Sequence, residues 1–278
     1  MTVESEATPG PRLEYPGMTP YDIYVRTDVL HSIQQRVSDE PGEYAFLAAS
    51  QIMELYFAML RFEWQHAQSQ LRVDAEAWGA IETLRRSELH FEGLNASWAA
   101  LRWITPTEFN RFREHLGVAS GFQSWAYRHC EFLLGLKNRA LIRLYEPNPA
   151  VYGPLLATLE GPGLYDDVLA MLARRGFPIP AAVLTRDMSV EYAGDEAVEA
   201  VWVSIMKDAR PDNDLRALGF ALADLSEKFD EWRYLHLMAV RRAMGAKGGT
   251  GGSSGLDWLE KSMKRRVFPE LWSARTSL

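Results

Sequence analysis

The sequence predicts an all-α fold, a helical bundle-like domain, on three observations. Two long stretches, 43–71 and 214–245, repeat apolar residues at three- and four-residue intervals, the spacing that lays one apolar stripe along a helix. Thr19-Pro20 and Thr105-Pro106 are helix-start signals: a hydroxyl that can cap the first turn, then a proline whose missing N–H costs nothing there. No stretch alternates polar and apolar residues for long enough to make a strand.

The elements follow in order. Residues 1–18, polar and proline-broken, read as disordered, and 19–278 as one domain, because no Pro/Gly/Ser-rich linker divides the chain before residue 247. The helix after Thr19 carries Tyr21, Tyr24 and Val25, with the two tyrosines on one face; packing onto their own core is the simplest role for them. Along 43–71 the stripe runs through Phe46, Ala49, Met53, Tyr56 or Phe57, Leu60 and Trp64, and Ser50 lies one turn from Phe46. Residues 72–101 read as one helix, with Glu82, Arg85, Arg86 and Glu88 on a solvated face and Leu89, Leu94 and Trp98 on an apolar one.

The helix opened by Pro106 carries Phe109, Phe112, Arg113 and Leu116 and ends before the segment ASGFQS. Arg113 sits at the edge of the apolar face, as either a surface ion pair or a planar fork for a ligand carboxylate. Residues 125–137 form a helix in which Arg128 and Glu131 pair. With Pro147, Pro149, Pro154 and Pro162, the stretch 147–163 reads as loop and short helices. Helices over 164–175, 197–209 and 214–245 complete the chain's regular structure.

Composition bounds the function. Hydrophobic residues make up 47% of the chain, with nine tryptophans and twelve phenylalanines, enough for a sizeable core and for lining an aromatic-binding cavity. A net charge of −7 argues against a nucleic-acid partner, and the run Lys264-Arg265-Arg266 is too short for a phosphate-tracking stripe. Cys130 is the single cysteine, which excludes an internal disulfide and fits a reducing compartment; as a lone cysteine it reads as a small hydrophobe. The N-terminus has no signal-peptide core and no run approaches membrane-spanning length, so a cytoplasmic protein without a membrane partner is expected.

The chemistry concentrates in 231–255. On the last helix His236 shares a stripe with Leu225, Phe229, Trp232, Val240 and Ala243. A histidine there is either a core side chain bonded to a backbone carbonyl or the axial ligand of a haem iron. Zinc is disfavoured, since there is no HExxH or CxxC and the other five histidines show no ligand spacing with it. The glycine-rich GGTGGSSG that follows could be a linker, but its position favours a mobile lid, with Thr250, Ser253 and Ser254 as donors to an anionic group.

The run from Trp232 through His236 to GTGGSSG resembles the haem-dependent tryptophan 2,3-dioxygenases, as does FREHLGVASGFQS at 112–124. TPYDIYVRTD near the N-terminus and LYDDVLAMLARRGFPIP at 164–180 extend the likeness over most of the chain. The resemblance implies a helical fold assembled as a homotetramer, with haem b between helices and dioxygen as co-substrate. It implies His236 as the proximal iron ligand, Ser120 and Gly121 beside the haem, and Phe46 against the substrate indole. Arg113 would clamp the amino acid carboxylate with Thr250 nearby, and Tyr21, Tyr24 and Val25 would reach a neighbouring subunit's pocket. Two positions depart from the family pattern. Ser50 stands where a histidine is usual, although the related indoleamine dioxygenases also carry serine, and Phe109 stands where many relatives have tyrosine.

The implied activity is addition of dioxygen across the indole C2=C3 bond of L-tryptophan or a derivative, giving an N-formylkynurenine-type product. Two rival readings remain. One is a monooxygenase giving an oxindole from a tryptophan methylated on its side chain; the other is a non-catalytic haem sensor.

Overall fold

A computed structural model describes residues 10–73, 75–102, 104–245, 247–252 and 255–278. Residues 1–9 of the stretch expected to be disordered, and the expected donors Ser253 and Ser254, lie outside these. The fold is all-α, with no strand among the described residues. By its internal contacts the chain forms two compact units, one ending at Arg36 and one spanning Val37–Leu278.

In the N-terminal unit, residues 10–18 carry no helix, and α1 (Pro20–Val25) and α2 (Thr27–Leu30) follow. Thr19 accepts the backbone N–H of Asp22 at 3.1 Å, as its place before Pro20 predicts. The Thr19 and Thr27 hydroxyls each donate to the Asp22 carboxylate at 2.7 Å and hold it below the usual carboxylate range. Neither helix buries a residue.

The larger unit is built on two long helices. The first, α3 (Pro41–Val73), packs against α4 (Trp78–Ala96), α5 (Trp98–Leu101), α6 (Pro106–Arg113) and α7 (Trp125–Leu133). Past these lie α8 (Pro149–Glu160), α9 (Leu164–Arg174), α10 (Ala181–Leu184) and α11 (Glu196–Lys207). The second long helix, α12 (Asp214–Met244), packs on α4, α5, α6 and α11, and on α13 (Leu256–Ser262) and α14 (Pro269–Ser273). The expected stripes make the core: Ala49, Met53, Phe57, Leu60 and Trp64 are buried on α3, and Leu225, Phe229 and Trp232 on α12. Phe57, Tyr127 and Trp232 meet with ring centroids 4.7–5.5 Å apart, in the range where aromatic pairs attract.

Several expectations are corrected. The stretch 147–163 contains a twelve-residue helix, α8, despite Pro154 in its interior. Pro149 starts it, and Leu155 and Leu159 drive into a cluster with Phe132, Ile142 and Tyr145, so packing offsets the one backbone bond that Pro154 forfeits. Residues 72–101 break into α4 and α5, and Leu89 is exposed. The buried face of α4 runs through Ala80, Leu84, Ser87, Phe91 and Leu94, and Leu89, two residues from both Ser87 and Phe91, falls on the other side. Arg128 and Glu131 do pair, but in the core, at 0% and 2% side-chain exposure, where losing either partner strands a buried charge. Finally, α3 has the length and apolarity of a membrane-crossing helix, contrary to the expected absence of such a run. Here one face of it packs as the main core helix, and the other carries the exposed Ile52, Leu55, Met59 and Phe62.

Candidate active site

Four pieces of the larger unit converge: the first turns of α3, α6 with the segment after it, the last third of α12, and the glycine loop. Thr105 and Glu108 cap α6 reciprocally, the threonine accepting the Glu108 N–H at 3.2 Å and the carboxylate accepting the Thr105 N–H at 2.9 Å. That start fixes the helix phase, so Phe109 and Phe112 turn inward and Arg113 lies at the edge.

Phe46 of α3 meets both phenylalanines, with centroids 5.7 Å from Phe109 and 5.5 Å from Phe112. Leu101, Leu116, Ala243 and Met244 close the cluster, so the end of α12 reaches the residues that the resemblance assigns to the substrate ring. One turn along α3, the Ser50 hydroxyl donates to the Phe46 carbonyl at 2.8 Å. Its proton is thereby committed and its lone pairs remain to accept. Glu54, a further turn on, hydrogen-bonds Ser124, and burial pushes its carboxyl above the usual range.

The glycine loop is pinned to α6 and the segment behind it. Arg113 Nη2 donates to the Gly248 carbonyl at 2.7 Å, while its buried Nε–H has no hydrogen-bond partner. Lys247 Nζ donates to Asn110 Oδ1 at 2.9 Å, and Thr250 Oγ1 to the Ala119 carbonyl at 2.6 Å. A Cβ at Gly251 would lie 2.8 Å from Ser120 Cβ, so only glycine lets the loop backbone come this close. Ser120 itself caps a short 3₁₀ turn, Gly121–Gln123: its hydroxyl accepts the Phe122 N–H at 3.4 Å and its own N–H donates to Gln123 Oε1 at 3.2 Å. Gly121 has open space around it and no left-handed φ; the strained turn falls at Gly117, whose φ is +58°.

His236 stands alone among these polar groups. Its imidazole stacks on Trp98 at 5.1 Å with 19° between the planes, and Trp232 leans on it at 5.4 Å. Among the described residues it has no hydrogen-bond partner, and burial lowers its pKa to about 4. The core-histidine reading required a bond to a carbonyl, and none is present. A neutral ring with a free lone pair, held by two indoles, has the chemistry of a side chain that could hold a haem iron. Both flanking indole N–H groups are also buried and unpartnered.

Tyr21, Tyr24 and Val25 belong to the N-terminal unit; the tyrosines are 68% and 89% exposed, and Val25 is partly buried. Sequence reasoning missed the latch formed by Asn110, Ala119 and Lys247, and the place of Trp98 against His236. No periodicity links Trp98 to His236, because they lie on different helices and meet only through tertiary packing. The pairing of Glu54 with Ser124 was missed too, although the four-residue spacing from Phe46 through Ser50 to Glu54 could have found the shared face.

Comparison with known proteins shows the family. The family model described as tryptophan 2,3-dioxygenase matches residues 5–151 and 161–278. The tryptophan 2,3-dioxygenase of Exiguobacterium sibiricum is 38% identical over 258 residues, covering 93% of this chain and 92% of that protein. Those of Bacillus cereus and Burkholderia pseudomallei are 37% identical over 258 residues and 36% over 267, spanning 93% and 96% of this chain and 92% and 87% of their own lengths. The chain therefore belongs to the tryptophan 2,3-dioxygenase family, whose members depend on haem and take dioxygen as co-substrate.

Proposed function

We propose that this protein adds dioxygen across the indole C2=C3 bond of L-tryptophan or a close derivative, giving an N-formylkynurenine-type product. The observation that carries this is a pair of ligand-ready groups in one family-matched unit: His236, stacked on Trp98 with no hydrogen-bond partner among the described residues, and Arg113, whose buried Nε–H has none. His236 would hold the iron of haem b, and Ser120 and Gly121 would border the porphyrin. When bound, the haem supplies the activation of dioxygen that an organic side chain cannot provide.

The chain's own residues do the rest. The Phe46 ring, already tilted against Phe109 and Phe112, offers an apolar face to the indole. Arg113 takes the amino acid carboxylate on its Nε–Nη2 edge, satisfying its orphaned donor and exchanging the Gly248 carbonyl for a charged partner. Thr250, whose hydroxyl proton is given to Ala119, keeps lone pairs for the substrate ammonium. Ser50 can accept the indole N–H but cannot remove its proton, because its own proton is bonded to Phe46 and a serine is no base near neutral pH. Orienting and holding the indole is therefore the main contribution of these residues.

The same serine supports the rival outcome, transfer of one oxygen to give an oxindole from tryptophan or its side-chain-methylated derivative. Incubating the reduced, haem-loaded protein with L-tryptophan and isotopic dioxygen separates them: dioxygenation adds two labelled atoms, and a product carrying one overturns it. His236→Ala should abolish tight haem uptake, and unaltered uptake would remove the site altogether.

Self-association is part of the proposal. On α3, Ile52, Leu55, Met59 and Phe62 are exposed at alternating three- and four-residue steps, opposite the core stripe, and Phe62 is 69% exposed. Such a seam is self-complementary and suits a second copy of the same helix. With Tyr21 and Tyr24 exposed and no residue buried in either short helix, the N-terminal segment is suited to completing the pocket of a neighbouring subunit in a homotetramer.

A further inference from the structure

Roughly 24 Å of helix, about four and a half turns, separate Phe220 from His236 along α12, and at the Phe220 end the helix meets a different environment. A cavity of about 100 Å³ lies there between α11, the first turns of α12 and the C-terminal residues. Trp202, Phe220, Leu271 and Ala274 give it apolar walls, and Arg216 and Arg275 are its two cations. The Trp202 indole N–H is spent on the Tyr165 hydroxyl at 2.8 Å, so Trp202 offers this space a ring and no donor.

Leu278 also lines the cavity, and among the described residues neither arginine forms an ion pair with an acidic side chain. The Arg216 guanidinium lies over the Phe220 ring at 5.1 Å, and its Nε–H is buried with no hydrogen-bond partner. Asp208, whose carboxyl feels the Arg216 charge, is already gripped by Arg210 at 2.6 Å. Arg275 lies over Trp272 at 4.6 Å, and one of its terminal nitrogens donates to the Leu271 carbonyl. Two stacked guanidiniums without an acidic partner, beside an apolar hollow, form a receptor for an anion with a hydrophobic body.

We propose that this cavity is a second ligand site, specific for a small carboxylate carrying a single aromatic ring or an equally compact apolar group. Ring and carboxylate are both required: the walls take the first, and the Nε–Nη2 edge of Arg216 gains from the second the partner its buried N–H lacks. Size sets the upper limit. A sealed cavity of about 150 Å³ holds benzene, and this one, at about 100 Å³, is smaller, so a single ring can enter only in part, with its rest at the exposed edge by Phe220, and the two-ring indole is excluded. This separates the site from the one at Arg113, and the proposal stands independently of the oxygenase reading. A ligand here would tie the start of α12 to the C-terminal helices and stabilise them by mass action.

The test uses the full chain and 4-fluorophenylacetate, followed by ¹⁹F line broadening with L-tryptophan in excess to fill the site at Arg113. Broadening should persist under tryptophan, be absent for the neutral 4-fluorophenylacetamide, and require about tenfold more protein in Arg216→Gln and in Arg275→Gln. Arg275 is exposed, so its variant reads the site even if Arg216→Gln folds poorly, and Phe220→Ala removes a wall from the solvent side. No broadening with wild type, complete displacement by tryptophan, or equal binding of the amide would overturn the proposal, as would unchanged binding in Arg275→Gln and Phe220→Ala.

Discussion

His129 is buried and neutral, and it offers a clean reading of what that does to stability. His129 bonds through Nδ1 to the Thr158 hydroxyl at 3.0 Å, and burial, helped by the nearby Arg61 charge, lowers its pKa to about 4. Unfolded, the same ring protonates near its ordinary value of about 6.5. Between these values the unfolded chain binds a proton that the folded chain refuses, so stability is complete above about pH 6.5 and falls as the pH drops toward 4. One such group contributes a slope of at most about 1.4 kcal/mol per pH unit. His129→Gln, which can still bond Thr158, should melt at a temperature less dependent on pH over that window than wild type; parallel curves would show that His129 is not the group responsible.

At the scale of elements, what the sequence disclosed depended on whether a single helix carried the signal. The α3 and α12 stripes and the Thr105-Pro106 start were readable because periodicity and capping are local. The α8 helix was not, since Pro154 speaks against a helix locally while Leu155 and Leu159 answer only once Phe132 and Tyr145 are in place. The site divides the same way. His236 and Arg113 stood out on their own helices, and Phe46 and Ser50 were singled out through the family resemblance, whereas Trp98 against His236 and the Gly251–Ser120 approach exist only between elements. That approach is testable. In Gly251→Ala the new methyl would meet Ser120 Cβ at 2.8 Å, and the loop must lift from Arg113 and Ala119 to relieve it. KM for tryptophan should rise about tenfold or more with little change in melting temperature, because the loop lies outside the core. Adding Ser120→Gly removes the obstructing side chain and should restore most of the loss; failure of that rescue would place the effect elsewhere.

For the whole molecule, one face of α3 shapes the interior while the other is left to an assembly. The chain packs Ala49, Met53, Phe57, Leu60 and Trp64 inward, yet leaves Ile52, Leu55, Met59 and Phe62 in water. Burying an apolar side chain of this size contributes roughly 1.5–3 kcal/mol, so four of them on each of two copies supply a large share of what a stable interface needs. Because Phe46 and Ser50 ride on the same helix, an interface here would brace the wall against which the indole is proposed to lie. Met59→Glu with Phe62→Glu places two like charges in the seam without touching the core stripe. Sedimentation should then show a smaller species with a helical signal equal to wild type, and KM for tryptophan should rise as the α3 wall loosens. If the double variant sediments as wild type does, the seam is not the contact between copies, and the exposed tyrosines of the N-terminal unit become the surface to test next.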